Sequence, residues 1–362
     1  MTGEKVLGIG DASGMFPVIG QSWDSVRLGK TQRLLDARGA GIGLVSALPQ
    51  VLVAGQPAGR LTEQGAHLLD PSGGLSAGIP LCPPEGDAGT GMVATNAVVP
   101  RTGNVSVGTS IFAMVVLERP LTHLHREIDL VTTPVGDPVA MVHCNNGASE
   151  IDAWAGVFAQ FAAAIGASVD NGQVFEALFD AALEGEADGG GLLAYNYLAG
   201  EPVAGLAEGR PLLVRAPDSR LNLANFARTL IDSSFATLSL GMRILADESV
   251  GIDAMFAHGG VFKTKVVAQK LLAAALGTSV TVGETASEGG AWGMAVLAAY
   301  AAQAAAPEGV PSLGDYLAHR VFVDTVVSTV NPEPTDVAGF RTFLARFEAG
   351  LAIQRAAIKD TL

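Results

Sequence analysis

Asp87 stands in a stretch of sequence whose residue types could support proton transfer. It lies in the run Pro-Glu-Gly-Asp-Ala-Gly-Thr-Gly-Met at residues 84–92, after an apolar stretch at 77–82 that is predicted to be a strand. A carboxylate fixed between a strand and a helix can accept the proton of an alcohol that attacks phosphorus. Aspartate is also common as an N-cap at such turns, and spacing alone leaves both interpretations open.

A second group of residues that could bind a ligand is formed by Gly108, Thr109 and Ser110. They follow the β-branched run at residues 105–107 and precede an apolar run at 111–117, which predicts a hairpin. The N–H and hydroxyl groups of such a turn can together hold phosphate oxygens. No lysine follows the glycine and the next element is a strand, so this is not a Walker A loop. An ordinary hairpin turn explains the same residues.

Two glycine pairs form the third group. Gly259 and Gly260 separate a predicted strand at 255–258 from a predicted helix at 261–276, and Gly289 with Gly290 opens another predicted helix that ends near residue 302. Glycine pairs let the backbone approach a flat ligand such as adenine and its ribose, although they also mark simple turns. Lys263 could contact a phosphate or be a solvated residue of the first helical turn.

Strands and helices alternate between these groups, which predicts an α/β architecture. A long helix with an apolar face is predicted near residues 222–245. Residues 1–98 differ, because they are rich in glycine and proline and have little helical periodicity before Asp87. We therefore expect two domains, residues 1–98 and residues 99–362, the second with a helical tail.

Composition restricts the class of partner. The 362 residues are 49% hydrophobic and 16% charged, with a net charge of −14, and they contain no cluster of lysine and arginine that could bind nucleic acid. Two cysteines, Cys82 and Cys144, do not make a disulfide framework, which favours a reducing compartment. No signal peptide or membrane span is recognised. We expect a soluble cytoplasmic protein without nucleic-acid or membrane partners, and we expect a homodimer. We expect no metal site at His143, because no further ligands occur around it at metal spacing.

Taken in order, these segments resemble the FGGY family of carbohydrate kinases, most closely its xylulokinase-like branch. Residues 10–16 resemble a stretch late in the family's first domain, and residues 85–89 resemble the Gly-Gly-Asp motif that carries its catalytic base. Residues 106–110 resemble its second phosphate loop, and residues 197–201 its Tyr-Leu-Ser-Gly-Glu segment. Residues 259–269 and 288–297 resemble its adenosine-binding signature. The resemblance extends from residue 10 to about residue 301.

The resemblance implies an actin-like ATPase (ribonuclease H-like) fold, in which two domains close over ATP and a sugar. Residues 1–98 would be the C-terminal remnant of the first, sugar-binding domain, and residues 99–362 the complete second, nucleotide-binding domain. The implied catalytic base is Asp87. The implied nucleotide-binding residues are Gly108, Thr109, Ser110, Gly259, Gly260, Lys263 and Gly289, with ATP and Mg²⁺ as cofactors.

The chain departs from the family pattern at its start. The family begins with an Asp-x-Gly-Thr phosphate loop and many of its sugar contacts, and nothing matches them before residue 10. The chain as printed is therefore expected to bind nucleotide weakly and to turn over slowly or not at all. The implied reaction is ATP-dependent phosphorylation of a sugar hydroxyl, with a ketopentose such as xylulose as the favoured substrate. The alternative is a non-catalytic nucleotide-binding module, or a fragment of an actin-like ATPase that needs a missing N-terminal half.

Overall fold

The structure is a computed structural model that describes residues 1–264, 266–283, 289–307 and 309–360, without the side chains of Lys263 and Asp360. Its main element is a seven-stranded mixed sheet, which confirms the α/β architecture.

The first part of the chain contains short elements. Two strands, β1 and β4, pair in parallel, and two more, β2 and β3, pair antiparallel. The strands are β1 (Val6–Gly8), β2 (Val18–Ile19), β3 (Ser22–Trp23) and β4 (Gln50–Leu52). The helices are α1 (Ile9–Met15), α2 (Ser25–Ala37), α3 (Leu44–Ala47) and α4 (Glu63–Leu69).

The large sheet has the strand order β13-β12-β11-β5-β6-β8-β7. Strand β11 runs parallel to both β5 and β12, and the other neighbouring pairs are antiparallel. Its strands are β5 (Thr102–Val107), β6 (Ile111–Val116), β7 (Ile128–Thr132), β8 (Pro138–Cys144), β11 (Ala254–His258), β12 (Val280–Gly283) and β13 (Val327–Val330). A separate antiparallel pair is formed by β9 (Leu192–Tyr195) and β10 (Leu212–Arg215).

Helices cover both faces of this sheet. They are α5 (Asp87–Ala94), α6 (Ser149–Ala164), α7 (Asn171–Leu183), α8 (Leu223–Asp247), α9 (Val267–Leu276), α10 (Gly289–Ala304), α11 (Leu313–Tyr316) and α12 (Pro334–Asp360). Short 3₁₀ turns cover Gly189–Gly191, Pro202–Ala204 and Gly260–Lys263, and a π-helical turn covers Leu317–Val321.

Alternation along β6 explains why the sheet has two cores. Ile111, Ala113 and Val115 join a cluster that includes the apolar faces of α8 and α9. Met114 and Val116 point the other way, into a cluster formed with α5 and α10. Successive strand residues face opposite sides of a sheet, so a strand buried on both faces is apolar at every position.

Two local predictions are wrong. Residues 77–82 do not form a strand; apart from an isolated bridge between Arg60 and Pro80 they lie outside any ladder. The helix predicted from residue 261 begins only at Val267. A 3₁₀ turn occupies Gly260–Lys263, and Val266 has φ of +73°, a left-handed conformation that interrupts the helical periodicity.

No helix in the described ranges combines the length and the apolar content that crossing a bilayer would require.

Candidate active site

The hairpin turn at Gly108, Thr109 and Ser110 forms as predicted between β5 and β6, where Val107 pairs with Ile111. The N–H of Gly108 donates to the Ser110 carbonyl at 2.9 Å, so that group serves the turn itself. Residues outside the hairpin also hold the turn in place. The N–H of Gly147 donates to the Thr109 carbonyl at 2.7 Å, and that of Ala148 donates to the Gly108 carbonyl at 2.9 Å.

A buried polar network supports this turn. The side-chain amide of Asn196 donates to the carbonyls of Asn146 and Gly147 at 3.0 and 2.8 Å. The side chain of Asn146 in turn donates to Glu201 Oε2 at 3.0 Å. Glu201 is fully buried, and the loss of solvent raises its pKa. The segment at residues 197–201 therefore acts on the turn indirectly, by holding residues 146–148 in place.

The second glycine turn lies beside the first because β11 and β5 are parallel neighbours. His258 pairs with Ser106, so both strands end at the same edge of the sheet. Gly259 has φ of +118°, and a Cβ there would lie 2.1 Å from the Val107 carbonyl oxygen. Gly260 has open space around it. The close approach of the two backbones requires glycine at position 259, while position 260 faces a cavity.

That cavity has a volume of about 900 Å³ and brings Gly108, Thr109 and Gly260 together. Helices α6 and α7 contribute the carboxylates of its wall, which are Asp152, Glu176 and Asp180, and two aromatic rings, Phe175 and Phe179. Its size suits a small-molecule ligand. Ser110, Gly259 and Gly289 are not among the described residues that line it. Glu288 and the side chain of Lys263 lie outside the part of the chain that the structure describes.

Asp87 is the first residue of α5, and Gly86 takes the N-cap position without a side-chain cap. The N-cap interpretation of Asp87 is therefore wrong, and its carboxylate is exposed. A negative charge in the first turn of a helix interacts favourably with the helix dipole. The exposed carboxylate is thus open to a ligand.

Glu85, two residues earlier, has a different environment. Its carboxylate accepts the N–H groups of Gly10 and Asp11 at 3.1 and 2.9 Å, which ties it to the start of α1. Burial raises the pKa of Glu85 to about 7, against the effect of these hydrogen bonds, and the nearby Asp11 charge adds to the rise. Asp11 also lies against Gly86, where an added Cβ would be 2.5 Å from its Oδ1.

His258 connects Asp87 to the glycine turns. Its Nε2 lies 3.3 Å from Asn104 Nδ2 on β5, and a Cβ on Gly289 would lie 3.2 Å from its Nδ1. Burial lowers the pKa of His258, and the Asp87 charge partly opposes this. In the sequence, His258 is notable only as the residue that precedes the glycine pair. The candidate site thus has two parts: the cavity at the glycine turns, and His258 in contact with α5 and α10, the helices that begin at Asp87 and Gly289.

The residues present can be tested against ATP and Mg²⁺. Backbone at Gly108 and Gly260 meets the cavity where side chains would fill it. The three wall carboxylates would repel an uncompensated triphosphate, whereas they suit ribose hydroxyls and divalent cations. The cavity therefore fits a nucleotide whose phosphates are accompanied by a cation.

Comparison with known proteins defines the class. The model of the C-terminal domain of the FGGY family of carbohydrate kinases matches residues 103–302, so the chain belongs to this family. No match was found among curated proteins.

Solved structures share the fold. A xylulose kinase from Lactobacillus acidophilus has a TM-score of 0.75 at 18% identity, with 99% of this chain and 66% of that chain covered. A gluconate kinase from the same organism has a TM-score of 0.74 at 18% identity, with the same coverage. Plasmodium falciparum glycerol kinase with ADP has a TM-score of 0.69 at 12% identity, with 98% and 63% covered. The predicted actin-like ATPase fold is confirmed, and the chain spans 63–66% of the length of these structures.

Proposed function

We propose that this chain takes part in ATP-dependent phosphorylation of a sugar hydroxyl, with a ketopentose such as xylulose as the favoured substrate. The observation that carries the proposal is the meeting of two glycine turns at one cavity, together with an exposed carboxylate, Asp87, at the start of the helix α5 that His258 contacts. Membership of the FGGY family supports the reaction class. Xylulose kinases among the structures of the same fold support the ketopentose, although gluconate and glycerol kinases share that fold.

Each predicted residue has a proposed role. Asp87 accepts the proton of the attacking sugar hydroxyl. The turn of Gly108, Thr109 and Ser110 holds the phosphates, and Lys263 adds a phosphate contact. Gly260 keeps side chains away from the adenosine, whereas Gly259 lets β11 approach β5 and Gly289 lets the start of α10 approach His258. ATP with Mg²⁺ would supply the phosphoryl group in this cavity.

The proposed division of the chain follows the same scheme. Residues 1–98 contribute a sugar-binding domain that carries Asp87, and residues 99–362 form the nucleotide-binding domain. Helix α5 belongs to the first by sequence but packs against α10, which brings the proposed base to the nucleotide side. Cytoplasmic location and a homodimer remain predictions.

A non-catalytic nucleotide-binding module is the second candidate. The observation in its favour is that Asp87 does not line the cavity. In such a module the cavity would bind nucleotide, and neither a sugar nor the Asp87 carboxylate would change the outcome.

Release of ADP in the presence of Mg²⁺-ATP and a panel of xylulose, ribulose, gluconate and glycerol separates the two candidates. We expect slow sugar-stimulated ADP release, in keeping with the low turnover expected of the chain as printed, and a fall of about 10²-fold or more in Asp87→Asn, because the base is lost while the shape is kept. Glu63→Gln is the matched control, since Glu63 is likewise an exposed first residue of a helix, α4. Turnover that is indifferent to Asp87 would contradict the proposal, and nucleotide binding without sugar stimulation would favour the second candidate.

A further inference from the structure

Two histidines and a glutamate form a cluster that shares no residue with the site described above. His123 and His125 lie on the connection between β6 and β7, and Glu248 follows the last residue of α8. His123 Nδ1 lies 3.0 Å and His125 Nε2 lies 2.8 Å from Glu248 Oε1. Candidate ligand atoms from all three residues lie within 4.8 Å of one another. Nothing in the proposed kinase mechanism uses this cluster.

The Glu248 carboxylate is held in place by groups other than the two imidazole rings. Its Oε2 accepts the N–H of Thr122 at 2.7 Å and the Thr122 hydroxyl at 2.5 Å, and its Oε1 accepts the N–H of His123 at 3.0 Å. The side chain of Glu248 is only 3% exposed. Outer hydrogen bonds of this kind orient a ligating carboxylate in metal sites. The carboxylate is thus fixed before any ion arrives.

The three candidate ligands leave one side of the cluster open to solvent. His125 is partly buried, and the side chain of His123 is 79% exposed, so one side of the cluster faces solvent. Two imidazoles and one carboxylate, with a fourth position left to water, form a recurrent zinc donor set. Metal–ligand distances of about 2.0–2.2 Å place tetrahedral ligands roughly 3.3 Å apart. The distances of 3.0 and 2.8 Å from the two imidazole nitrogens to Glu248 Oε1 are close to that value, and the ligand atoms all lie within 4.8 Å of one another.

We propose that His123, His125 and Glu248 bind a divalent first-row transition metal, with zinc as the reference ion. The ion would take the place of the protons that join each imidazole to Glu248 Oε1. Mg²⁺, which prefers oxygen donors, does not suit two imidazoles, so this site is separate from the Mg²⁺ that accompanies ATP.

Such an ion would link two segments that are distant in the sequence. The β6–β7 connection leads into β7, the edge strand of the large sheet, and Glu248 ends the long helix α8. Besides the bonds to the Glu248 carboxylate, a hydrogen bond from the Arg119 side chain to the Glu248 carbonyl at 3.1 Å crosses this junction. The ion would stabilise the folded chain, because these ligands come together only on folding.

Calorimetric titration of zinc chloride into the tag-free, metal-stripped chain, with excess Mg²⁺ present, tests the proposal. We expect one zinc ion per chain and a zinc-dependent rise in melting temperature. Affinity should fall at least about 10-fold in His123→Ala and in His125→Ala. His67→Ala is the matched control, because His67 is an exposed histidine on α4 that takes no part in the cluster.

His123→Ala is the decisive variant, because its exposed side chain can be removed without loss of packing. Glu248→Gln is less informative, since this residue also holds the backbone of Thr122 and His123. Absence of zinc binding in the parent chain would overturn the proposal. Equal loss of affinity in His67→Ala, or unchanged affinity in His123→Ala when circular dichroism shows a folded protein, would also overturn it.

Discussion

Glu85 and Asp87 are two residues apart, but their carboxyl groups have opposite environments. Asp87 is exposed at the start of α5, whereas Glu85 is partly buried against the start of α1. Because burial raises the pKa of Glu85 to about 7, Glu85 is largely uncharged below that pH. Of the two carboxyl groups, that of Asp87 is therefore the one open to solvent and to a ligand.

Glu85 also makes stability depend on pH. A carboxyl whose pKa is raised in the folded state stabilises the fold fully below its unfolded pKa of about 4.5 and loses that contribution as pH rises through about 7. Glu85→Gln cannot ionise, so its stability relative to the parent chain should increase between pH 4.5 and pH 8, by at most about 3 kcal/mol. Urea unfolding at several pH values measures this difference.

The control for this prediction is Glu63→Gln, an exposed carboxyl at the start of α4. The pH-dependent gain in stability should be larger for Glu85→Gln than for Glu63→Gln over the same range. A Glu85→Gln difference that is flat with pH would show that Glu85 ionises normally in the folded chain.

Residue identity predicted some of these roles but not their environments. The glycines at 108, 259 and 260 could be selected from the sequence because they follow short apolar runs, and Asp87 because residues 85–89 resemble the Gly-Gly-Asp motif of the FGGY family. The burial of Glu85 could not, because it depends on Gly10 and Asp11, some 75 residues away. The cluster of His123, His125 and Glu248 was missed for the same reason, because Glu248 lies about 125 residues from the two histidines.

At the scale of elements, the parallel pairing of β5 and β11 determines how close the two glycine turns lie. The backbone of Gly259 approaches Val107 so closely that any side chain at 259 would displace one strand. Gly260, the next residue, has no such neighbour. The two glycines therefore serve different purposes, one in packing and one in leaving the cavity open.

This difference predicts opposite results for two adjacent substitutions. Gly259→Ala should destabilise the fold by at least about 2 kcal/mol, because it adds a Cβ at φ of +118° and 2.1 Å from the Val107 oxygen. Gly260→Ala should change stability by less than about 0.5 kcal/mol. Guanidinium unfolding measures both values. Similar values for the pair would mean that the strands are not as close as described here.

Prediction of the elements was best where a pattern repeats. The β5–β6 hairpin and helices α8 and α10 follow their predicted positions closely, because apolar periodicity and glycine breaks both identify them. Helix α2 was not foreseen in the glycine-rich first part of the chain, where Asp24 caps it by accepting the N–H groups of Val26 and Arg27. Strand β13 was missed because its position depends on pairing with β12, between Thr281 and Thr329 among others.

At the scale of the whole molecule, negative charge must be reconciled with an anionic ligand. The net charge is −14, and the cavity wall contributes three carboxylates. Backbone N–H groups at the turns and an accompanying cation can hold phosphates despite this charge. Nucleotide binding should therefore require a divalent cation. The affinity for nucleotide should depend on the residues of the cavity and not on the charge of the surface.

Calorimetric titration of ADP with Mg²⁺ into the chain tests this account most directly. Gly260→Leu places a side chain in the cavity without a clash, whereas Gly29→Leu adds the same side chain on α2, away from the cavity. The account predicts that Gly260→Leu weakens ADP binding at least about 10-fold while Gly29→Leu leaves it unchanged. Equal ADP affinity in the two folded variants would contradict the assignment of this cavity as the nucleotide site.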